Sequence, residues 1–357
     1  MDQEYNPIKQ KIEAELERWL PLEPDAAWAE RVFGEIGKSI SAESLIALLA
    51  PVRELIFRGG KRWRPLLMSL VCETLGGGDA AIPLAPAVEF AHNASLIHDD
   101  IEDESDERRN KPAIHRIFGI DSAINSGSFC YFLAAACIDV CALKDKEFIY
   151  KLWMDTLRRL HLGQSMDIGW HRDISIVPTV DEYFLMCSLK TGSLARLSTG
   201  LGVHAAFCGE AAAAGDHSEL IKVIGSAAEK MGVGFQILDD VKNLTTGVYG
   251  KERGDDIVEG KKSLPILLFL NKYPEKRERI FYFFHAAKIE GASSPEVEEL
   301  IDTLTPTGVF EEAEEKGKSL INESKEIIYS KEFSAYSKNE KAFALLDNFF
   351  GAFTREN

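Results

Sequence analysis

Two short clusters of carboxylates are the residues of this chain best suited to chemistry. The first is HDDIED at residues 98–103 and the second is DDVKN at residues 239–243. On a helix, Asp99 and Asp103 would share one face, one turn apart. Carboxylates so close repel each other unless a cation lies between them. Because Mg²⁺ prefers carboxylate oxygens and completes its shell with water and phosphate oxygens, the pattern predicts magnesium sites for a phosphorylated substrate.

Both clusters end apolar stretches, 88–97 and 231–238, and Gln236 lies one turn before the second cluster. A surface helix would carry charge along a whole stripe, whereas here the charge appears abruptly at one end. This pattern is typical of helices that line a deep apolar cavity with a polar mouth. Two solvated acidic turns are the alternative.

Cationic residues that could bind an anionic substrate lie near the first cluster. The segment GGKRWRP at 59–65 separates two helical stretches, so backbone N–H groups at a helix start could act with Lys61 and Arg64. Arg108 and Arg109 follow the first cluster closely and could grip a diphosphate. His92 precedes Asp99 by two turns on the same face, as a ligand group or as an ordinary core histidine.

Further cations lie around the second cluster. Lys190 and Thr191 fall inside an apolar stretch, and a buried lysine is costly unless it is paired with an anion. A bound diphosphate would provide that anion. Lys251 and Lys261 flank the glycine-rich segment after the second cluster, although ordinary surface lysines would look the same.

Helical periodicity must position these residues, because no strand alternation and no repeat is visible. Pro, Gly and polar runs divide the pattern, and two loops are expected, at 104–112 and 245–260. No long linker separates two domains, so we expect one all-α domain over 1–357, a large helical bundle around a deep central cavity. The predicted helices are 12–20, 42–57, 65–75, 82–103, 123–143, 146–170, 181–207, 218–244 and 265–270, with further helical pattern after 274.

Composition narrows the class of partner and the compartment. A formal charge of −16 over 357 residues argues against nucleic acid or an anionic membrane as the main partner. The six cysteines form no CxxC pair and are expected to fill a core in a reducing compartment, the cytoplasm. Residues 126–143 approach membrane-spanning length, but Asp139 and several small polar residues favour a buried central helix over a transmembrane segment. The N-terminus shows no apolar signal segment.

Several long motifs in the same order resemble the trans-isoprenyl diphosphate synthases, and among them the eukaryotic-type geranylgeranyl diphosphate synthases. The motifs are GGKRWRP, HNASLIHDDIEDESDERRNKPAIH, HLGQSMDIGW, LKTG, GFQILDDVKNL and GKERGDDIVEGKKSLP, within about 59–270. Two residues depart from the family pattern. Asn110 stands where many relatives have Gly, which leaves the local geometry of that loop open, and Asn243 replaces the last Asp of the second motif, as in the eukaryotic-type enzymes.

The resemblance implies a role for each matching residue and a cofactor, Mg²⁺, with about three ions per active site. Magnesium would be held by Asp99, Asp103 and Asp239, with Asp100 and Asp240 assisting. Isopentenyl diphosphate would be bound by Lys61, Arg64, His92 and Arg109. The allylic diphosphate would be bound by Arg108, Lys190, Lys251 and Lys261, with Thr191 and Gln236 near its first carbons.

The implied reaction is a condensation of the two diphosphates. Ionisation of the allylic substrate gives a cation that the catalytic residues Lys190, Thr191 and Gln236 stabilise, and isopentenyl diphosphate attacks it. The proton would then pass to the departing pyrophosphate, since no side chain stands out as a base. Ala94 and Ser95 are small where aromatic residues block the product at farnesyl length in this family. The helix with Phe129 would set the next floor, within the chain or across a homodimer.

These features favour geranylgeranyl diphosphate as the product, with a farnesyl or a longer product as alternatives. Two other readings stay open at this point. A class I terpene cyclase would share the fold but would need no site for isopentenyl diphosphate. A non-catalytic partner subunit of a heteromeric synthase would usually have lost acidic residues, whereas both clusters are intact here.

Overall fold

A computed structural model describes residues 2–207, 217–247 and 253–355 and shows an almost wholly helical chain. The all-α prediction is confirmed. In the described residues, the strands are β1 (Glu107–Arg108) and β2 (Lys111–Pro112), paired antiparallel. They lie in the expected loop 104–112, which is therefore a small hairpin. Lys251 and Cys208 lie outside the described residues.

The α-helices are numbered in chain order. They are α1 (Asp2–Trp19), α2 (Ala26–Phe33), α3 (Ala42–Phe57), α4 (Trp63–Thr74), α5 (Ala85–Glu102), α6 (Ile114–Phe118), α7 (Ile120–Val140), α8 (Lys146–Arg172), α9 (Val180–Cys187), α10 (Ser193–Phe207), α11 (Ser218–Leu244), α12 (Asp255–Val258), α13 (Leu264–Lys272), α14 (Arg277–Glu290), α15 (Pro295–Leu304), α16 (Val309–Ile328), α17 (Lys331–Ser334) and α18 (Glu340–Arg355). Short 3₁₀ segments are Gly78–Leu84, Pro274–Lys276 and Thr305–Thr307.

The chain forms two compact units, each described by itself below. Unit 1 comprises Met1–Asp155, Leu197–Gly225 and Lys331–Asn348, and unit 2 comprises Thr156–Arg196, Ser226–Ser330 and Phe349–Asn357. The single domain expected over 1–357 stays a prediction.

Unit 1 is built on α5, the helix that carries the first cluster. A run of small and apolar residues buries most of α5 up to Ile97, and α7 packs closely along it. Gly127 of α7 makes this approach possible, because a Cβ there would lie 3.1 Å from the ring of His98. Among the described helices, α7 is long and apolar enough to cross a membrane, and half of its most apolar window is buried. Soluble core helices pass the same test.

Unit 2 has its core around the second half of α11. Ile237 and Val241 of α11 pack with apolar side chains from α13, α14 and α15, such as Phe283 and Leu300. This apolar support holds the end of α11 that carries the second cluster. The five described cysteines of the whole chain are buried and form no disulfide, as expected for core residues.

Candidate active site

The GGKRWRP segment forms a tight turn before α4. Gly59 and Gly60 have φ values of 98° and 148°, a region that favours glycine, and Arg62 has φ 50°. Arg62 is buried and donates hydrogen bonds to Glu13 Oε1 at 2.7 Å and to Glu89 Oε1 at 2.9 Å. These ion pairs fix the turn. Sequence reasoning gave Arg62 no role, since its partners are far away along the chain.

The turn places a cationic group around His92. Burial lowers the pKa of Arg64 to about 10, and the Arg64 guanidinium lies 4.2 Å from the centre of the Trp63 ring. Burial, and then the charges of Arg64 and Arg109, hold the pKa of His92 well below its usual value. His92 is therefore neutral near pH 7, and a bound anion would relieve the crowding of positive charge around it. Lys61, the other predicted cation of this turn, is exposed.

Arg109 is held in place by backbone carbonyl groups of the same region. Its Nη1 donates to Leu55 O at 2.8 Å and to Gly59 O at 2.6 Å, and its Nη2 donates to Asn93 Oδ1 at 3.3 Å. Burial lowers the pKa of Arg109 to about 10. Arg109 thus joins the end of α3, the GGKRWRP turn and α5, and Asn93 is a further site residue, to which the motif that contains it assigned no role.

The hairpin between β1 and β2 explains how Asn110 can stand where many relatives have Gly. Arg109 and Asn110 are the two central residues of the turn, with φ values of 56° and 57°. A two-residue hairpin turn of this kind needs positive φ at both central positions, and Asn tolerates that conformation well. Asn110 therefore supports the same local shape that Gly would.

In the first cluster, Arg108 contacts two of the carboxylates. Its Nε donates to Asp100 Oδ1 at 2.7 Å, and its Nη2 lies 3.4 Å from Asp99 Oδ2. Asp103 ends α5, and its backbone N–H donates to Asp99 O. The sequence assigned Arg108 to a diphosphate, whereas in this structure its partners are the predicted metal-binding carboxylates.

The residues predicted to control product length also lie in unit 1. Ala94 is fully buried, and the Ser95 hydroxyl donates to His92 O at 2.7 Å. Phe129 stacks on Phe33 of α2, with ring centres 5.6 Å apart. The sequence did not predict α2, so this aromatic contact was not foreseen.

In the second cluster, a chain of hydrogen bonds ends at Asp240. Thr191 Oγ1 donates to Gln236 Oε1 at 2.9 Å, and Gln236 Nε2 donates to Asp240 Oδ1 at 2.8 Å. Tyr183 OH donates to Asp240 Oδ2 at 2.7 Å. Burial raises the pKa of Asp240 to about 6; the hydrogen bonds from Tyr183 and Gln236 oppose that rise, and the nearby charge of Asp239 adds to it. Tyr183 carried no sequence signal.

Lys190 forms an ion pair with a carboxylate that lies in one of the quoted motifs but was given no role there. Its Nζ donates to Asp167 Oδ2 at 2.6 Å. Burial acts to raise the pKa of Asp167, but Lys190 and then Lys261 outweigh it and hold that pKa below its usual value. Lys261 also forms ion pairs with Glu259 and Asp256. Predicted cations near the second cluster thus meet around one buried aspartate.

Lys190 and Thr191 lie in a π-helical turn, Ser188–Gly192, between α9 and α10. The sequence predicted one continuous helix over 181–207. The wider i→i+5 turn interrupts it, and such turns are frequent at functional sites.

Asn243 closes the loop after the second cluster. It is buried, and its Oδ1 accepts a hydrogen bond from the backbone N–H of Asp256 at 3.2 Å, near the start of α12. The last residue of the second cluster therefore has a structural partner, which a carboxylate or an amide oxygen could equally supply.

The donor set fits magnesium completed by a substrate. Within residues 2–207, 217–247 and 253–355, no three His, Cys, Asp or Glu side chains are placed to hold a metal ion by themselves. Mg²⁺ usually takes one or two carboxylates and completes its shell with water and phosphate oxygens. The proximity of Asp239 to Asp240, seen in the pKa of Asp240, is the repulsion that such a cation would relieve.

Comparisons with known proteins identify the family of the chain. Residues 46–303 match the family model for polyprenyl synthetase. A geranylgeranyl pyrophosphate synthase of Gibberella zeae is 35% identical over 260 residues, which are 70% of this chain and 66%, just under two thirds, of that relative. The crystal structure of a geranylgeranyl pyrophosphate synthetase from Pyrococcus horikoshii has a TM-score of 0.79 and 26% identity, over 98% of this chain and 97% of the other. A second structure shares the fold with a TM-score of 0.79 and 21% identity, over 98% of each chain; it is a geranylgeranyl pyrophosphate synthase from Corynebacterium glutamicum complexed with isoprenyl diphosphate and magnesium.

Proposed function

The chain belongs to the polyprenyl synthetase family, and from that premise we propose that it condenses an allylic diphosphate with isopentenyl diphosphate to give geranylgeranyl diphosphate. It is a trans-prenyltransferase, as the motif resemblance implied. The observation that carries the proposal is the grouping of cations with carboxylates in both units. Arg108 contacts Asp99 and Asp100 in unit 1, and in unit 2 Lys190 forms an ion pair with Asp167, whose pKa is also lowered by the charge of Lys261.

A divalent metal, magnesium, completes both acidic clusters in this proposal. Asp99 and Asp103 hold it in the first cluster and Asp239 holds it in the second, with Asp100 and Asp240 assisting, for about three ions per active site. When bound to the diphosphate, the metal supplies positive charge that stabilises the leaving group as the C–O bond breaks. The magnesium in the related Corynebacterium structure supports this assignment.

Isopentenyl diphosphate binds at the cationic group of unit 1. Lys61, Arg64 and Arg109 supply the positive charge, and neutral His92 can donate or accept a hydrogen bond at the diphosphate. The carbonyl and Asn93 contacts of Arg109 orient its guanidinium before the substrate arrives. This preorganisation lowers the entropy lost on binding.

The allylic substrate reacts beside Thr191 and Gln236. Lys190 and Lys261 counter the charge of its diphosphate, while the oxygen atoms of Thr191 and Gln236 present negative dipoles to the allylic cation. The double bond of isopentenyl diphosphate attacks this cation, a proton is lost to the departing pyrophosphate, and the new carbon–carbon bond is complete.

Product length is set on α5. Buried Ala94 leaves room for a chain longer than the farnesyl group, so Ala94→Phe should shorten the main product, as should Ser95→Phe. A control is Ile289→Phe, which adds a ring at an exposed site of α14. An unchanged product in both α5 variants would show that the chain does not pass these positions.

A homodimer is the proposed assembly. Ile120, Ile124 and Phe132 of α7 are exposed apolar side chains, and 71% of the Phe132 surface is exposed. Exposed apolar side chains on one helix are candidates for contact with a second copy of the chain. The proposed location of the protein is the cytoplasm. Light scattering should give twice the chain mass, and Phe132→Glu should lower it.

The deciding experiment incubates the purified protein with Mg²⁺, isopentenyl diphosphate and each allylic diphosphate in turn, and then measures product length. Geranylgeranyl diphosphate, formed only with both substrates and metal, is the expected result. Hydrocarbon released from an allylic diphosphate alone would instead indicate a terpene cyclase. A lack of any turnover would indicate a non-catalytic partner subunit, and a farnesyl or longer product would correct only the chain length.

A further inference from the structure

The π-turn Ser188–Gly192 needs support from outside itself. A π-turn is rarer than an α-turn because it is intrinsically less stable, and neighbouring groups must hold it. Lys190 and Thr191 both lie in this turn. If the turn relaxed to an α-helical register, both side chains would move around the helix axis and lose their contacts with Asp167 and Gln236.

Glu229 of α11 contacts this turn and two neighbouring helices. Its carboxylate accepts a hydrogen bond from the hydroxyl of Ser188, the first residue of the π-turn. The same carboxylate forms ion pairs at 2.9 Å with Arg159 of α8 and with Arg196 of α10. One acidic side chain thus joins the start of the turn to α8 and to α10, the helix that follows the turn.

Close backbone contacts place the turn against its neighbours. A Cβ on Gly192 would lie 2.9 Å from Glu229 O, and a Cβ on Gly232 would lie 2.8 Å from Gly192 Cα. On the α8 side, a Cβ on Gly163 would lie 2.5 Å from Lys190 N. Because glycine alone permits these distances, the turn is packed directly between the backbones of α8 and α11.

Two hydrogen bonds then connect α11 to the turn in a matched pattern. Glu229 and Gln236 are seven residues apart on α11, two turns along one face. Glu229 contacts Ser188 at the start of the π-turn, and Gln236 contacts Thr191 near its end. The turn is therefore fixed to α11 at two points, of which only the second belongs to the proposed catalytic residues.

We propose that Glu229 is a positioning residue that holds the π-turn in register, so that Lys190 and Thr191 meet the allylic diphosphate. The expected effect of Glu229 on catalysis rests on the proposed function. Its expected effect on the shape of the π-turn rests on the contacts alone. Glu229 acts through Ser188, Arg159 and Arg196 and does not touch the substrate. Its loss should affect the allylic half of the reaction and spare the isopentenyl diphosphate site of unit 1.

The test compares Glu229→Ala and Glu229→Gln with Glu323→Ala. Glu323 is a matched control, because its carboxylate also forms an ion pair with a residue of α11, Lys230 at 3.0 Å, and neither residue belongs to the π-turn contacts described above. We expect Glu229→Ala to lower kcat about tenfold or more and to leave KM for isopentenyl diphosphate within about twofold. Glu229→Gln keeps an acceptor for Ser188 and should lose about half as much on a logarithmic scale. Glu323→Ala should retain wild-type kinetics.

Hydrogen–deuterium exchange supplies a second readout that does not depend on turnover. Amides of residues 188–192 should exchange faster in Glu229→Ala than in wild type, and Glu323→Ala should leave them unchanged. Wild-type kcat in a folded Glu229→Ala variant, with unchanged exchange at the π-turn, would overturn the inference. An inactive wild type whose π-turn still loosens in Glu229→Ala would instead refute the proposed function and leave the positioning role standing.

Discussion

The two acidic clusters share a sequence pattern but differ in how their second aspartate is stabilised. Asp100, in unit 1, is buried and forms an ion pair with Arg108. Asp240, in unit 2, is also buried, but its oxygens accept hydrogen bonds from the neutral side chains of Tyr183 and Gln236. Its pKa is raised to about 6. One motif thus allows two electrostatic solutions, a charged partner and a neutral pair of donors.

The difference indicates separate tasks for the clusters. A carboxylate that forms an ion pair with a guanidinium attracts a further cation less strongly than one whose hydrogen-bond donors are neutral. We therefore expect the second cluster to depend more on bound magnesium for its stability, and the first to keep its shape without it. Four predictions test this comparison.

The largest effect should follow removal of the leading aspartates. Asp99→Ala and Asp239→Ala should each reduce kcat by about 10³-fold, because the charge of the leaving group would lose its metal. Binding of isopentenyl diphosphate to Asp99→Ala, measured by calorimetry, should change far less. Exposed Asp302→Ala on α15 serves as the control. Near-normal kcat in either cluster variant would refute its metal assignment.

Loss of the ion pair between Arg108 and Asp100 should reduce stability more than loss of a neutral hydrogen bond to Asp240. Arg108→Gln removes the guanidinium beside buried Asp100, which should lower the free energy of unfolding by about 3 kcal/mol. Turnover should fall as well, by about 10²-fold, since Arg108 is also assigned to the allylic diphosphate. Urea denaturation and steady-state kinetics would measure the two effects. An unchanged free energy of unfolding would show that the ion pair with Asp100 does not stabilise the first cluster.

Loss of a neutral hydrogen bond to Asp240 should reduce the free energy of unfolding by a smaller amount. Tyr183→Phe removes one hydrogen bond to Asp240 and should cost about 1 kcal/mol of unfolding free energy. Magnesium with a diphosphate ligand should recover part of that loss. Tyr150→Phe is a matched control, because Tyr150 OH donates to Asp139 at 2.6 Å in an exposed pair. A loss in Tyr183→Phe as large as in Arg108→Gln would remove the distinction between the clusters.

The smallest effect concerns pH and belongs to unit 1. The pKa of His92 lies well below that of a histidine in the unfolded chain, so the unfolded state binds the extra proton. Because the folded state keeps His92 neutral, this residue does not lower the free energy of unfolding above about pH 6.5. As the pH falls below that value, the unfolded state gains the proton first and the free energy of unfolding decreases. Between pH 7.5 and 5.5, His92→Gln should lose about 1 kcal/mol less than wild type in thermal unfolding. Equal losses would show that burial and the neighbouring arginines do not lower the pKa of His92.

Helix periodicity predicted much of the fold but not its irregular parts. The bounds of α3 and α11 agree with the predicted 42–57 and 218–244, because a serine at 41 caps α3 and apolar spacing marks both helices. The π-turn was missed, since its hydrogen-bond register leaves no mark in residue spacing. α2 was missed because it is only eight residues long and isolated between two polar segments.

The candidate site shows the same division between local and distant information. Motifs identified the acidic clusters and the cations near them, because those residues are neighbours in sequence. The contacts of Arg62 with Glu13 and of Tyr183 with Asp240 join residues 49 and 57 positions apart. Such pairs depend on tertiary packing, which spacing along a single chain does not encode.

The wide turn between α9 and α10 also limits which deletions this chain can tolerate. It holds one residue more than a regular α-helix would need there. Removing one residue would let the helix run straight through, with a change of angular phase of about 100°. Because α10 is buried on nearly every side, the half-exposed α9 is the part that would rotate, carrying Tyr183 away from Asp240. A homologue shortened by one residue here would need another donor for that aspartate.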